Sequence, residues 1–79
     1  MSNLEKYDNA FSKTIGIKKE ELADATYQMV DGWDSIGHMQ LIAELEDVFD
    51  IMMDTDDIID LSSYEKGKEI LSKNYQIEF

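Results

Sequence analysis

Residues 33–49 read Trp-Asp-Ser-Ile-Gly-His-Met-Gln-Leu-Ile-Ala-Glu-Leu-Glu-Asp-Val-Phe, and this stretch decides the fold. Its apolar residues are spaced three and four apart, which is the period of an α-helix. Asp34 can accept hydrogen bonds from the unpaired amides of a first helical turn, and its charge suits the positive end of the helix dipole. The stretch therefore predicts a helix that begins at Asp34 and runs to about Phe49.

The predicted helix has two apolar faces. At about 100° per residue, one broad stripe covers roughly 120° of the helix and must face the core. Its members are Leu41, Ile42, Leu45, Val48 and Phe49. A small apolar patch on the opposite side is surrounded by polar residues; the patch consists of Ile36, Met39 and Ala43, and the polar residues are Gln40, Glu44, Glu46 and Asp47. Because single exposed apolar residues are common, periodicity alone leaves open both a partner-binding face and an ordinary solvated face.

The residues before this helix predict a first helix and a long connection. Ser2 and Glu5 have the spacing of a capping box, and apolar residues then follow at helical spacing, namely Leu4, Tyr7, Phe11 and Ile15. Gly16 predicts a left-handed stop just after Thr14 or Ile15. Residues 16–33 look irregular, and a connection this long needs anchors, for which the candidates are Ile17, Leu22, Tyr27, Val30 and Trp33.

The residues after Phe49 predict one short helix and one longer helix. Asp54 or Thr55 caps the short helix, and Ser62 with Glu65 repeats the capping-box spacing before the last helix. Residues 76–79 are expected to fray. The fold class is therefore all-α, a small four-helix bundle of three longer helices and one short helix, with a long loop between helices 1 and 2. Its expected core consists of Phe11, Leu41, Ile42, Leu45, Phe49, Ile58, Leu61 and Leu71.

Composition excludes several classes of protein. The 79 residues make one domain, 1–79, and the absence of cysteine excludes disulfides and a thiol nucleophile. The formal net charge is −11, and residues 31–60 contain ten acidic residues and no lysine or arginine, which argues against a nucleic-acid partner. No apolar run is long enough to span a membrane, and no secretory signal is visible. We expect a cytoplasmic, acidic monomer.

Two motifs in the central helix resemble those of the acyl carrier protein family. The first is Asp34-Ser35-Ile36, and the second is a Leu-x-x-x-Leu-Glu-x-x-Phe pattern whose fixed residues are Leu41, Leu45, Glu46 and Phe49. The resemblance continues through the short helix predicted over 54–60 to the Leu61-Ser62-Ser63-Tyr64 junction, and it is looser before residue 31. It implies a carrier that is not itself an enzyme and has no catalytic residues or metal of its own.

The resemblance also implies roles for individual residues. Ser35 matches the attachment site of a covalent 4′-phosphopantetheine arm, which a phosphopantetheinyl transferase takes from coenzyme A. Asp34 matches the residue that helps to hold the transferase's magnesium ion. The positions that partners of the family touch correspond to Ile36, Met39, Gln40, Ala43, Glu46 and Asp47. The implied partners are the transferase and acyl-loading and acyl-processing enzymes with basic docking patches, serving fatty-acid or specialised polyketide-type synthesis.

Some residues depart from the common pattern of the family and leave the cargo open. Trp33 stands where a smaller aliphatic residue is usual, and Gly37-His38 stands where better helix formers are usual. An aminoacyl or peptidyl carrier, and an unmodified acidic helical adaptor, are the alternatives. His38 near Ser35 does not predict a hydrolase, since a 79-residue helical chain has little room for the orienting acid, oxyanion site and cleft that the pair would need; we expect His38 to pack near the long loop or to be partly solvated. Ile58 and Ile59 break the calcium-loop spacing that begins at Asp54.

Overall fold

The computed structural model describes residues 2–29 and 32–79 and confirms an all-α bundle. It contains four α-helices and a short 3-10 helix. In chain order these are α1 (Asn3–Ile15), the 3-10 helix (Lys19–Asp24), α2 (Ser35–Phe49), α3 (Thr55–Asp60) and α4 (Tyr64–Asn74). The described residues form no strand, only an isolated antiparallel bridge between Thr26 and Ser63. None of the helices in this described part is long and apolar enough to cross a bilayer.

The ends of α1 confirm the predicted capping signals. The Ser2 hydroxyl accepts a hydrogen bond from the Glu5 amide at 3.1 Å, and the Glu5 carboxylate accepts one from the Ser2 amide at 3.2 Å. The Ser2 amide and the Ser2 hydroxyl both donate to the Glu5 carboxylate, and these bonds lower the pKa of Glu5. At the other end Gly16 has a φ of 79°, the left-handed conformation that glycine adopts without steric cost. The capping residues thus fix both ends of α1 where the sequence placed them.

The connection between α1 and α2 is more regular than expected. Its residues 19–24 form a 3-10 helix, closed by a bond from the Ala25 amide to the Leu22 carbonyl at 3.0 Å. This helix contains one buried residue, Leu22, so it has no apolar period that the sequence could reveal. Of the other expected anchors, Ile17 and Trp33 are buried and Tyr27 is half-buried, while Val30 lies outside the described residues.

Aromatic rings form the centre of the core. Phe11 lies edge-on to Trp33 with ring centroids 5.2 Å apart and edge-on to Tyr64 at 5.5 Å. Such edge-to-face pairs are favourable beyond the area that they bury. The expected core is confirmed at Phe11, Leu41, Ile42, Leu45, Leu61 and Leu71. Phe49 and Ile58 are only half-buried and pack against the edge of this core.

One buried carboxylate ties α1 to α4. The Tyr64 hydroxyl donates to Asp8 Oδ1 at 2.5 Å, and the Tyr7 hydroxyl donates to the Tyr64 carbonyl at 2.7 Å. Burial, with the Asp8 hydrogen bond as a second cause, raises the pKa of Tyr64. The polar atoms that this contact buries are therefore paired, as a stable core requires.

The start of α4 differs from the prediction by one residue. Ser63, rather than Ser62, is the N-cap, and its hydroxyl accepts from the Lys66 amide at 3.0 Å. The reason is tertiary: the Ser62 carbonyl accepts from the Tyr27 amide at 2.8 Å, which holds this segment extended against the loop. The helix therefore starts one residue later than predicted because of a contact with the loop that forms only when the chain folds. Similarly, Asp54 stands at the N-cap of α3, but its side chain makes no capping bond there.

The prediction that residues 76–79 fray is wrong. Gln76 takes a left-handed φ of 61°, and the chain turns back so that Ile77 is buried. Asn3 Nδ2 donates to the Glu78 carbonyl at 2.9 Å, and the Phe79 ring lies 5.2 Å from that of Tyr7. The segment is anchored because it covers the end of the aromatic core.

This packing makes the C-terminal residues part of the stability of the fold. We expect Ile77→Ala to lower the free energy of unfolding by about 2 kcal/mol or more, since it removes a buried aliphatic side chain. The matched control is Glu78→Ala, because the Glu78 side chain is exposed and the bond from Asn3 goes to the backbone. Urea denaturation of both variants checks the prediction, and equal stabilities would contradict it.

Candidate functional site

Ser35 is the first residue of α2, and its side chain is exposed. The residue before it, Asp34, is the N-cap, and Asp34 Oδ1 accepts from the Gly37 amide at 2.8 Å, as the sequence predicted. In the first turn of a helix the amides have no acceptor within the helix, and the dipole is positive there. The Ser35 hydroxyl therefore stands where a phosphate group would be favoured.

Close backbone contacts fix the start of α2 against the loop. Gly37 is buried, and a side chain there would collide with the Gly32 carbonyl oxygen. A side chain at Gly32 would in turn collide with the Ile15 carbonyl oxygen at the end of α1. These two glycines allow α1, the loop and the first turn of α2 to meet. The unusual glycine after the Asp34-Ser35-Ile36 motif is thus explained by packing.

His38 joins the loop to α3. Trp33 is fully buried, and its Nε1–H donates to His38 Nδ1 at 2.9 Å. The other ring nitrogen, Nε2, is 2.8 Å from the carbonyl oxygen of Ile58 in α3. The ring is half-buried, and the Tyr27 ring lies edge-on to it at 5.3 Å. His38 packs against the long loop, as expected, but it also makes a contact with α3 that the sequence did not indicate.

An apolar groove of about 340 Å³ lies beside Ser35, between α2, α3 and the loop. Its lining residues are Tyr27, Ser35, His38, Met39, Ile58, Ile59, Leu61 and Ser62. The Tyr27 hydroxyl is 3.4 Å from Ser35 Oγ, at hydrogen-bond distance. A wider depression of about 670 Å³ over α4 has charged walls, including Lys66 and Glu69, and does not include Ser35. Of these two cavities, the groove is therefore the one that Ser35 lines.

Sequence reasoning missed several of these lining residues. Tyr27 was predicted only as a loop anchor and Ser62 only as the cap of the last helix, and Ile59 had no part in the predicted site. A signal was present in the adjacent isoleucines of α3, Ile58 and Ile59, because side chains about 100° apart on a short helix do not both face the core. Ile59 is 71% exposed and borders the groove.

Five of the six residues expected to form a partner face are exposed on α2. Ile36 is 71% exposed and Met39 57%, and Met39 lines the groove together with Ile59. The other exposed members are Gln40, Ala43 and Asp47. Glu46 differs: it is half-buried, and its Oε2 accepts from the Met53 amide at 2.9 Å. Its carboxylate therefore holds the α2–α3 connection as well as contributing charge.

One acidic residue of α3, Asp57, is hydrogen-bonded to the C-terminal end of α4. Asp57 accepts from Asn74 Nδ2 at 2.9 Å and from the Tyr75 hydroxyl at 2.7 Å. Within residues 2–29 and 32–79, no group of three or more acidic, histidine or cysteine side chains is placed to hold a metal ion.

Comparison with known proteins gives one match. The model of a family described as "Phosphopantetheine attachment site" matches residues 8–66, which include Ser35 and every residue of the groove. No curated protein and no solved structure matches the chain.

The packing of Gly37 predicts that alanine is less stable than glycine at this position, which is the reverse of the usual preference in helices. Alanine inside a helix is normally favoured over glycine by about 1 kcal/mol. We expect Gly37→Ala instead to destabilise the protein, because the new methyl group meets the Gly32 carbonyl oxygen. Thermal unfolding measures the effect, and Gln40→Ala at an exposed position of the same helix is the control. A higher melting temperature for Gly37→Ala would contradict the packing argument.

Proposed function

Since the chain belongs to the phosphopantetheine attachment family, we propose that Ser35 is the residue that bears the 4′-phosphopantetheine. Members of this family are carrier domains, and the group is covalently bound. The proposal is carried by one observation: Ser35 is an exposed serine at the start of a helix and at the edge of an apolar groove.

The other serines in the matched region fit the role less well. The Ser12 hydroxyl donates to the Ile17 carbonyl at 3.1 Å, and Ser63 caps α4. Ser62 is exposed and lines the same groove, but it lies outside the helices. Ser35 alone among these combines exposure with a position in the first turn of a long helix.

When attached, the group supplies a terminal thiol that holds cargo as a thioester. The contribution of the chain is to present the serine and hold its surroundings in place. Asp34 fixes the first turn of α2 through Gly37, and it is proposed to contact the transferase's magnesium ion. No general base is needed beside Ser35, because the transferase activates the hydroxyl. We therefore assign the chain no catalytic activity of its own.

The groove supports acyl cargo. Most of its wall is apolar, formed by Met39, Ile58, Ile59 and Leu61, and it begins at the serine itself. An acyl chain buried there would be removed from water, which is favourable in proportion to its apolar area. We propose an acyl carrier of fatty-acid or specialised polyketide-type synthesis. An aminoacyl or peptidyl carrier is the alternative, and its cargo would bring a charged amino group or polar amides to this apolar groove.

The exposed face of α2 supports docking to basic enzymes. Its apolar residues, Ile36 and Met39, lie in a segment with ten acidic residues and no lysine or arginine. Such a charge distribution steers encounter and allows rapid release, as a carrier visiting several enzymes requires. We propose that residues 1–79 act as one cytoplasmic, monomeric carrier domain whose partners are the transferase and acyl-loading and acyl-processing enzymes.

The attachment site is tested by intact-mass spectrometry. Incubation with coenzyme A, magnesium and a broad-specificity phosphopantetheinyl transferase should add one phosphopantetheine mass to the wild-type chain. Ser35→Ala should stay at its unmodified mass, because the acceptor hydroxyl is gone. Ser62→Ala is the matched control and should be modified like the wild type. Modification of Ser35→Ala, or an unchanged wild-type mass with several transferases, would favour another site or the unmodified adaptor.

The docking face is tested by charge reversal. We expect Asp47→Lys to lower the kcat/KM of the transferase for the carrier by about tenfold at low salt, since it weakens steering. Glu65→Lys on α4 makes the same change of net charge away from the face and should have a much smaller effect. The difference should shrink as salt is added. Equal losses in the two variants would show that only net charge matters.

A further inference from the structure

The hydrogen bonds of His38 define one protonation state. An indole Nε1–H can only donate, so His38 Nδ1 must accept from Trp33 and carry no proton. A carbonyl oxygen can only accept, so Nε2 must carry the proton that it donates to Ile58. Both bonds exist together only in the neutral imidazole protonated at Nε2.

The same imidazole forms part of the wall of the groove beside Ser35. Its hydrogen bond goes to the Ile58 carbonyl in the last turn of α3, where carbonyl groups have no N–H partner within the helix. None of the residues of α3 is fully buried, so apart from the packing of Ile58 this helix is held by polar contacts: His38 from α2, and Asn74 and Tyr75 at the end of α4. Among the residues that the structure describes, His38 therefore makes the hydrogen bond that joins α2 to α3 at the groove.

We propose that His38 is a positioning residue for the groove beside Ser35: its neutral form joins Trp33 and α3 to α2, and uptake of a proton releases Trp33 and loosens the groove. Protonation at Nδ1 would set two N–H donors against each other and leave the buried indole without an acceptor. The Nε2 proton is kept, so the groove loosens because the ring must turn away from Trp33, which displaces Nε2 from the Ile58 carbonyl. The effect on a carried chain rests on the proposed function of Ser35, whereas the hydrogen-bond switch itself does not.

The groups around the imidazole are either uncharged or already hydrogen-bonded to other residues. The switch therefore depends on the protonation of the imidazole itself. From the loop, the Tyr27 and Trp33 rings face it, the latter stacked within 20° of parallel. The acidic residue nearest to His38 along the sequence is Asp34, the N-cap of α2, and its carboxylate accepts a hydrogen bond from the Gly37 amide. On α3, the Asp57 carboxylate is bonded to Asn74 and Tyr75 of the opposite side. The contact from α3 to the ring is the uncharged Ile58 carbonyl.

The switch is tested by NMR on the unmodified protein. Trp33 is the sole tryptophan of the sequence, so its indole N–H gives one signal. As the pH is lowered, that signal should shift together with the imidazole signals. The methyl groups of Met39 and Ile59 should shift in parallel, while that of Met52, which is 85% exposed and outside the groove, should not. At the upper pH, the imidazole nitrogens should show a proton on Nε2 only.

Two variants separate the switch from a merely structural role. His38→Gln keeps a donor and an acceptor without a titrating group, so its Trp33 and groove signals should not depend on pH. His38→Phe removes both bonds, and exchange of the Leu61 amide with deuterium should become roughly tenfold faster at every pH, because α3 is released. Circular dichroism confirms that each variant is folded.

Several results would overturn the proposal. One is a proton on Nδ1 at the upper pH; another is a Trp33 signal that stays constant while the imidazole titrates; a third is equal Leu61 exchange in His38→Phe and the wild type. The same measurements on Ser35→Ala should reproduce the wild type. Failure of the attachment experiment therefore leaves this test intact, and failure of this test leaves the attachment site intact.

A final experiment connects the switch to cargo. In the modified protein carrying an octanoyl thioester, cleavage by hydroxylamine at one fixed pH should be several-fold faster in His38→Phe than in the wild type. His38→Gln should behave like the wild type. Equal rates in all three proteins would show that His38 does not hold the groove around a chain.

Discussion

Burial of one indole ring is the interaction on which the rest of the structure depends. Trp33 is fully buried and lies in the loop, yet its ring contacts α1 through Phe11 and α2 through His38. An indole removed from water needs an acceptor for its N–H, and His38 provides it. The next residues, Asp34 and Ser35, begin α2, so the depth to which Trp33 is buried sets the position of the candidate attachment serine. The tryptophan that departs from the usual family pattern thus determines the geometry of the site.

The sequence predicted those features that depend on local chemistry. The capping box at Ser2, the left-handed Gly16 and the N-cap at Asp34 each follow from residues within a few positions of one another, and all three are confirmed. Periodicity also placed the core residues Leu41, Ile42 and Leu45 of α2, whereas Val48 and Phe49 of the same predicted stripe are only half-buried. Features that depend on distant contacts were not predictable in this way. The start of α4 moved to Ser63 because of a bond to Tyr27, and the C-terminal residues are ordered because Ile77 covers the core.

The candidate site shows the same division. Ser35 and the exposed residues Ile36 and Met39 could be placed from one helix alone, since they depend only on its period and its first turn. The groove could not, because its wall comes from three segments that folding brings together, including Tyr27 and Ile59. His38 was recognised as a departure from the family pattern, but its hydrogen bond goes to the backbone carbonyl of Ile58. Because every residue has such a carbonyl, the residue types do not indicate this contact.

The bond from Asn3 to the Glu78 backbone has a consequence for the linear order of the chain. It brings Asn3 and Glu78 within hydrogen-bond distance of each other, at 2.9 Å, and neither residue lines the groove. A short peptide bridge could close the backbone into a ring there, and new ends could be opened in an exposed turn. Folds whose ends are adjacent commonly accept such circular permutation, or grafting into a host loop, because the spatial arrangement of the helices is kept.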